Sequence, residues 1–182
     1  MIDEAATPLP PPGSKSRAAL FGFLDSLDIA HRTVEHPAIF TVDEGRAFKQ
    51  DMPGGHSKNL FLKDKKGALF LVTALAETRA DLVALGKALG AKGRLSFGKP
   101  ALMTQTLGVI PGAVTPFSLI NDSAGALQAV ILDASLLAHD PVWFHPLANT
   151  ASTAISPDGL LTFIRACGVE PQILDLAAPL PG

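Results

Sequence analysis

Between residues 16 and 27 the apolar residues Leu20, Phe23, Leu24 and Leu27 recur every three or four positions, the period of an amphipathic helix that Ser14 or Ser16 can cap. Residues 31–35 follow as a short strand. Past His36-Pro37, Thr41 with Glu44 three residues on is a capping-box signature and predicts a second helix over 41–49. Two apolar runs, 59–63 and 68–73, flank Asp64-Lys65-Lys66-Gly67, the pattern of a hairpin made of central strands. Thr78 is placed to cap a helix over 79–89, with Leu82, Val83, Leu85 and Leu89 inward and Gly90 at its end.

Farther along, residues 94–97 read as a short strand, Pro100–Leu107 as a helix with proline in its first turn, and 108–116 as a glycine and proline loop. Residues 117–120 and Leu127–Asp133 enclose Asn121-Asp122-Ser123-Ala124-Gly125, a second hairpin signal, and 142–145 and 150–155 add two short strands. Ser156-Pro157-Asp158 supplies the cap, the proline and the acid of a helix start, ahead of Leu160, Leu161, Phe163, Ile164 and Cys167. A last strand falls at 173–176. Hairpins in the middle, with helices between and around them, predict an α+β fold about a mixed or antiparallel sheet instead of regular β-α-β winding.

Composition narrows the setting. With 182 residues, 47% of them apolar and 18% charged, the chain suits one globular domain over 14–182 behind a proline-rich flexible tail over 1–13. That tail has two acids and no basic residue, unlike a signal or transit peptide, and the longest apolar run, 68–76, is about half of a membrane span. Cys167, the single cysteine, excludes an internal disulfide and fits a reducing, cytoplasmic setting. A net charge of −2 argues against nonspecific binding of DNA or long nucleic acid but leaves room for a small, localised RNA contact.

Familiar catalytic signatures are missing: no phosphate loop, no dinucleotide fingerprint, no His-Glu-x-x-His. The stretch from Gly93 to Gly98 is one residue too long for a nucleophile elbow. Histidines 31, 36, 56, 139 and 145 have no metal-ligand spacing, so neither a metal nor another cofactor is expected. Polar residues do gather at the mouths of apolar strands: Lys58 with Asn59, the 108–116 loop, and His145 with Asn149, Ser152 and Thr153. Singly each has a plain explanation. Lysines at strand ends are usually solvated, asparagines sit in turns, a histidine before proline satisfies a loop, and glycines permit turns. His56 reads as a flexible loop residue and Cys167 as core packing.

Together, the stretches HPAIFTVDEG (36–45), SKNLFLKD (57–64), GVIPGAVTPFSLIND (108–122), LDASLL (132–137) and FHPLANTASTAIS (144–156) resemble the YbaK/ProX family of aminoacyl-tRNA deacylases. The resemblance runs over about residues 16–175 in order and is strongest to freestanding prolyl-tRNA editing proteins, similar to the editing domain inserted in bacterial prolyl-tRNA synthetases. It implies a mixed, barrel-like sheet surrounded by helices and a pocket for the aminoacylated end of tRNA. The implied reaction is hydrolysis of alanyl-tRNA for proline. Carried over residue by residue, the family's lysine falls on Lys58, its asparagine on Asn59, its Gly-x-x-x-Pro loop on Gly112 to Pro116 and its late pocket histidine on His145. The tail before Ser14 and the Met52-Pro53-Gly54-Gly55 approach have no counterpart in the pattern.

These residue types suit the chemistry. An aminoacyl ester is already activated, so positioned water and a stabilised oxyanion can suffice. Gly112 lets backbone amides approach the ester. The polar Gly-Gly-His-Ser approach favours Lys58 as an anchoring cation, since a lysine acting as base needs strong desolvation. Ile39, Phe40 and His145 are the candidate walls that exclude proline, with Asn149 and Pro116 beside them, and Lys63, Lys65, Lys66 or Lys99 are candidate contacts to tRNA. Prolyl-tRNA synthetase is a candidate partner, and a monomer or weak dimer is expected. A deacylase of cysteinyl or seryl esters, and a nonhydrolytic module that binds tRNA or a synthetase, are the alternatives.

Overall fold

Helix α1 (Arg17–Ser26) starts where the Ser16 hydroxyl accepts the Ala19 amide, and its buried Leu20 and Leu24 seat it on the sheet. Fully burying two leucines contributes about 2 kcal/mol each. The computed structural model describes residues 8–39, 41–122 and 125–180. After β1 (Arg32–Glu35), Thr41 and Glu44 form the expected capping box at α2 (Val42–Gly45), which tightens at once into a 3₁₀ helix, Arg46–Asp51. Next come β2 (Gly55–Lys63), β3 (Leu69–Leu75), α3 (Leu82–Ala88), the two-residue β4 (Ser96–Phe97) and α4 (Pro100–Leu107). The second half holds a 3₁₀ helix at Pro116–Asn121, then β5 (Leu127–Asp133), α5 (Ala134–Leu137), β6 (Val142–Phe144), β7 (Ala151–Ile155), α6 (Pro157–Ala166) and β8 (Gln172–Leu174).

The eight strands make a mixed sheet in the order β1-β7-β6-β2-β3-β5-β8, with β4 also on β2. β2–β3 is the predicted antiparallel hairpin, and β6–β7 and β1–β7 are antiparallel too. β5 lies parallel to β3, β8 parallel to β5, and β6 parallel to the first residues of β2. Alternation along the central strands fills two cores. Phe61, Leu69, Leu71, Val130 and Leu132 pack with residues of α1, α4 and α6 on one face, while Leu62, Phe70, Val72 and Ile131 pack with Leu85, Leu95 and Leu176 on the other.

Two expected elements are corrected. Residues 117–120 are not a strand: the Thr115 hydroxyl accepts the Phe117 amide, Pro116 opens the turn, and the Ser118 hydroxyl donates to the Thr115 carbonyl. Phe117 is thereby driven into the core, edge-on to Phe144 at 5.6 Å and Phe163 at 5.3 Å. No hairpin therefore joins 117–120 to β5, and Ser123 and Ala124 of its expected turn lie outside the described residues, as do residues 1–7 of the tail. Thr78 does not cap α3. Asp81 does, accepting the Val83 and Ala84 amides at 2.9 and 3.1 Å, because the Thr78 hydroxyl is committed to Asp133 at 2.7 Å.

Asp133 binds three segments at once. Its fully buried carboxylate accepts from the amides of Leu75 (3.1 Å), Ser135 (3.2 Å) and Leu176 (3.4 Å) and from the hydroxyls of Thr78 and Ser135, both at 2.7 Å. Burial pushes this carboxyl upward, but the hydrogen bonds from Ser135, Thr78 and the Leu75 amide outweigh it and hold the group below its ordinary range. Asp133→Asn replaces an acceptor with a donor that faces other donors. It is expected to lower the unfolding free energy by about 3 kcal/mol at neutral pH in urea titrations. Because the native carboxyl is lowered, that deficit is full above about pH 4 and shrinks as pH falls through the native value. A loss below about 0.5 kcal/mol contradicts the assignment.

Candidate active site

β2 belongs to both halves of the sheet, and the site opens where the halves part. Only Gly55 and His56 pair with β6, opposite Val142 and Trp143, whereas Ser57 to Lys63 pair with β3. The Gly-Gly approach allows this close entry. A Cβ on Gly54, whose φ is +123°, would land on the Pro141 carbonyl, and one on Gly55 would lie 2.8 Å from the His139 Cβ. Past His56 the gap between β2 and β6 becomes a cavity of about 320 Å³, roofed by the segment after β1 and by the 108–115 loop.

Lys58, Asn59, Gly112, His145 and Ile39 all line this cavity. Lys58 leaves β2 at the cavity floor and donates its Nζ to the Thr78 carbonyl, so the turn that Asp133 fixes also aims the lysine. Asn59 accepts the Thr73 hydroxyl at its Oδ1 (2.8 Å), which leaves its amide N–H groups to the cavity. Gly112, with φ +88°, is the third residue of an Ile110-Pro111-Gly112-Ala113 turn closed by the Ala113 amide on the Ile110 carbonyl (3.1 Å), the arrangement of a type II turn. Neither the Gly112 nor the Val114 amide has an acceptor among the described residues.

His145 shares Nδ1 with the Ala151 carbonyl at 2.9 Å; since a carbonyl only accepts, Nδ1 carries the proton and Nε2 is left as an acceptor. Burial pushes this imidazole below its ordinary value, the Ala151 carbonyl opposes that, and His36, with ring centroids 6.0 Å away, reinforces it. Ser152, also in the wall, meets His36 Nε2 at 2.9 Å, while His36 Nδ1 meets the Pro37 carbonyl at 2.8 Å. In the tautomer that donates from Nδ1 to the Pro37 carbonyl, His36 Nε2 accepts the Ser152 proton, and the Ser152 oxygen keeps lone pairs for a ligand.

Other expected residues stand elsewhere. Pro116 is buried at the start of its 3₁₀ helix, and Asn149 is buried behind the wall, where its carbonyl accepts the Ile39 amide at 3.1 Å. Neither lines the cavity. Phe40 lies outside the described residues. His56, read from sequence as a flexible loop residue, is on β2 instead, stacked on Trp143 at 6.2 Å with Nε2 2.7 Å from the Met52 carbonyl; burial lowers its pKa. Ser152, which the sequence groups with His145 and Asn149, does line the cavity, whereas His36, Lys49, Trp143 and the His36–Ser152 hydrogen bond were passed over. On β7, alternation places Ser152 and Ala154 on one face.

The described lining contains two lysines and no carboxylate, and Lys49 is turned to Glu77 at 3.6 Å. Among the described residues no three His, Cys, Asp or Glu side chains gather as a metal site, and no helix is long and apolar enough to cross a membrane. The described lining thus offers donors (Lys58, Asn59, the Gly112 amide) and acceptors (His145 Nε2, the Ser152 oxygen).

The aminoacyl-tRNA editing domain family matches residues 36–163. Prolyl-tRNA synthetase associated domain-containing protein 1 of Mus musculus is 41% identical over 167 residues, covering 90% of this chain and 98% of that protein. The prolyl-tRNA editing protein ProX of Acetoanaerobium sticklandii is 30% identical over 162 residues, covering 88% and 98%. A crystal structure described as a candidate trans-editing enzyme for prolyl tRNA synthetase superposes with a TM-score of 0.62 at 23% identity, over 89% of this chain and 97% of that one, a likeness of fold. With the matched segment containing every element around the cavity, the chain belongs to the aminoacyl-tRNA editing domain family, within the YbaK/ProX aminoacyl-tRNA deacylases.

Proposed function

We propose that the chain hydrolyses the ester between alanine and tRNA for proline, releasing alanine and free tRNA. The observation that carries this reading is a cavity whose described lining holds both hydrogen-bond donors and acceptors and no carboxylate. An aminoacyl ester needs both: its α-ammonium group requires acceptors and its carbonyl oxygen requires donors. His145 Nε2 and the Ser152 oxygen receive the ammonium. The Gly112 amide and Asn59 face the ester, and Lys58 holds the ester region or the terminal phosphate by charge. The likeness to proteins named for prolyl-tRNA editing and synthetase association favours proline tRNA as the carrier.

In the reaction, water adds to the ester carbonyl carbon, and the oxyanion that forms is stabilised by the Gly112 amide at about 3 kcal/mol. The carbon–oxygen bond to the ribose then breaks, the ribose oxygen takes up the proton released by the water, and alanine leaves. A neighbouring ribose hydroxyl orients the water, so no protein base is required. Methylene differences in an apolar site discriminate by only about 1 to 3 kcal/mol, so proline is refused sterically, by Ile39 and the His145 ring.

Three variants test the reading on mischarged alanyl-tRNA for proline. Lys58→Ala is expected to lower kcat/KM about 100-fold or more; full activity contradicts the anchoring role. His145→Ala widens the wall while removing an acceptor for both substrates, so the ratio of prolyl-tRNA to alanyl-tRNA hydrolysis is expected to rise about 10-fold; an unchanged ratio removes His145 from the selection. For pH, protonating His145 removes the acceptor and repels the ammonium. Because burial lowers its pKa, the acid limb of kcat/KM is expected below about pH 6.5, the ordinary imidazole value, and is abolished in His145→Asn. An acid limb at or above that value, or one retained in the variant, contradicts the assignment.

A further inference from the structure

Positive charge is partitioned along this chain. Lys63, Lys65, Lys66, Lys92, Arg94 and Lys99 are six of its fifteen lysines and arginines, whereas residues 100–182 contain only Arg165. The fold brings these six to one place. The Lys65 amide donates to the Lys92 carbonyl (3.1 Å), the Ser96 hydroxyl reaches the Lys63 carbonyl (3.4 Å), and the Lys65 side chain runs so close over Gly93 that a Cβ there would lie 2.6 Å from its Cδ. The β2–β3 turn and the 92–99 segment are therefore one surface.

Its charge is not neutralised from within. Asp64, the acid in the turn, is buried and spends both carboxylate oxygens on backbone: Oδ1 accepts the Lys66 (2.8 Å) and Ala68 (3.0 Å) amides, and Oδ2 the Lys92 amide (2.8 Å). Among the described residues none of the six cations enters an ion pair. Lys65, Lys66, Lys92, Arg94 and Lys99 are exposed. In their midst Phe97, opposite Leu62 on β4, is 64% exposed, an aromatic face without protein cover.

We infer that this surface is a docking site for an RNA backbone, and that it holds the helical stem of the tRNA whose aminoacylated end enters the cavity; the second half of this statement rests on the function proposed above. Phosphates are the complement of an unpaired cluster of lysines and arginine, and an exposed aromatic beside them offers a stacking face to a base or ribose. The acidic balance of the rest of the chain repels a polyanion elsewhere and so orients it. Spacing agrees. Lys58 and Lys63 are five residues apart on one strand, about 16 Å at roughly 3.3 Å per residue, a span of roughly five nucleotides at about 3.4 Å each. The unpaired end of a tRNA bridges such a gap between a stem on the turn and an ester at the cavity floor.

The test uses the full chain and the variants Lys65→Ala/Lys66→Ala/Lys92→Ala together and Phe97→Ala alone, with unfolding midpoints verifying that these exposed changes leave the fold intact. Binding of an uncharged RNA hairpin with an unpaired 3′ end is followed by fluorescence anisotropy between about 50 and 200 mM salt. The triple variant is expected to bind about 10- to 100-fold more weakly and to lose about three from the slope of log affinity against log salt, about one per lysine. Phe97→Ala is expected to weaken binding about 5-fold with the slope unchanged. Hydrolysis of alanyl-adenosine, which has no stem, is expected to stay within about 2-fold of wild type, while KM for the full tRNA rises. Wild-type affinity and slope in the triple variant overturn the inference. So does capture of the chain by phosphatidylserine vesicles, lost in the triple variant, when hairpin binding is untouched. Patch-dependent RNA binding without hydrolysis of any ester supports the docking surface and removes the proposed reaction instead.

Discussion

The buried Asp133 carboxylate ties together the end of β3, the turn that follows it, the start of α5 and the segment after β8. It accepts only neutral donors, and enough of them to stay ionised against its own burial. The consequence reaches the cavity in one step: Thr78 gives its hydroxyl to Asp133 and its carbonyl to Lys58. A flexible side chain on the cavity floor is thus held by backbone that is itself fixed by a buried charge. Two of the three ammonium N–H groups of Lys58 remain for a ligand.

β2 supplies the other constraint. By pairing with β6 for two residues and then with β3 for seven, it belongs to both halves of the sheet and opens a gap at Lys58 and Asn59. Into that gap project the turn at Gly112, the His145 ring and the Ser152 hydroxyl. At its far end the same strand runs into the turn that gathers the lysines. The cavity and the cationic surface are therefore joined by one rigid element, which sets the distance between them.

Much of this was legible wherever the deciding interaction is local. The capping box at Thr41, the Ser156-Pro157-Asp158 start of α6, the proline start of α4 and the β2–β3 hairpin all depend on residues within a few positions of each other, and they stand where the pattern puts them. The misses arise from distant partners. Thr78 looks like a cap until Asp133, fifty-five residues away, takes its hydroxyl. Residues 117–120 have the apolar character of a strand, but Phe117 is drawn between Phe144 and Phe163 and its amide is capped by Thr115. In the site, Lys58, Asn59, Gly112, His145 and Ile39 line one cavity, while Pro116 and Asn149 are buried outside its lining. The pairing of His36 with Ser152 was beyond local reading, since their hydrogen bond spans 116 positions.

Side-by-side deacylation of alanyl-tRNA and prolyl-tRNA, both on tRNA for proline, by the intact chain is the most direct measurement of the account. A cavity that receives an α-ammonium between His145 and Ser152 and refuses the larger ring is predicted to cleave the alanyl ester at least about 10-fold faster than the prolyl one. Equal rates on the two esters, or no cleavage of either, would contradict it.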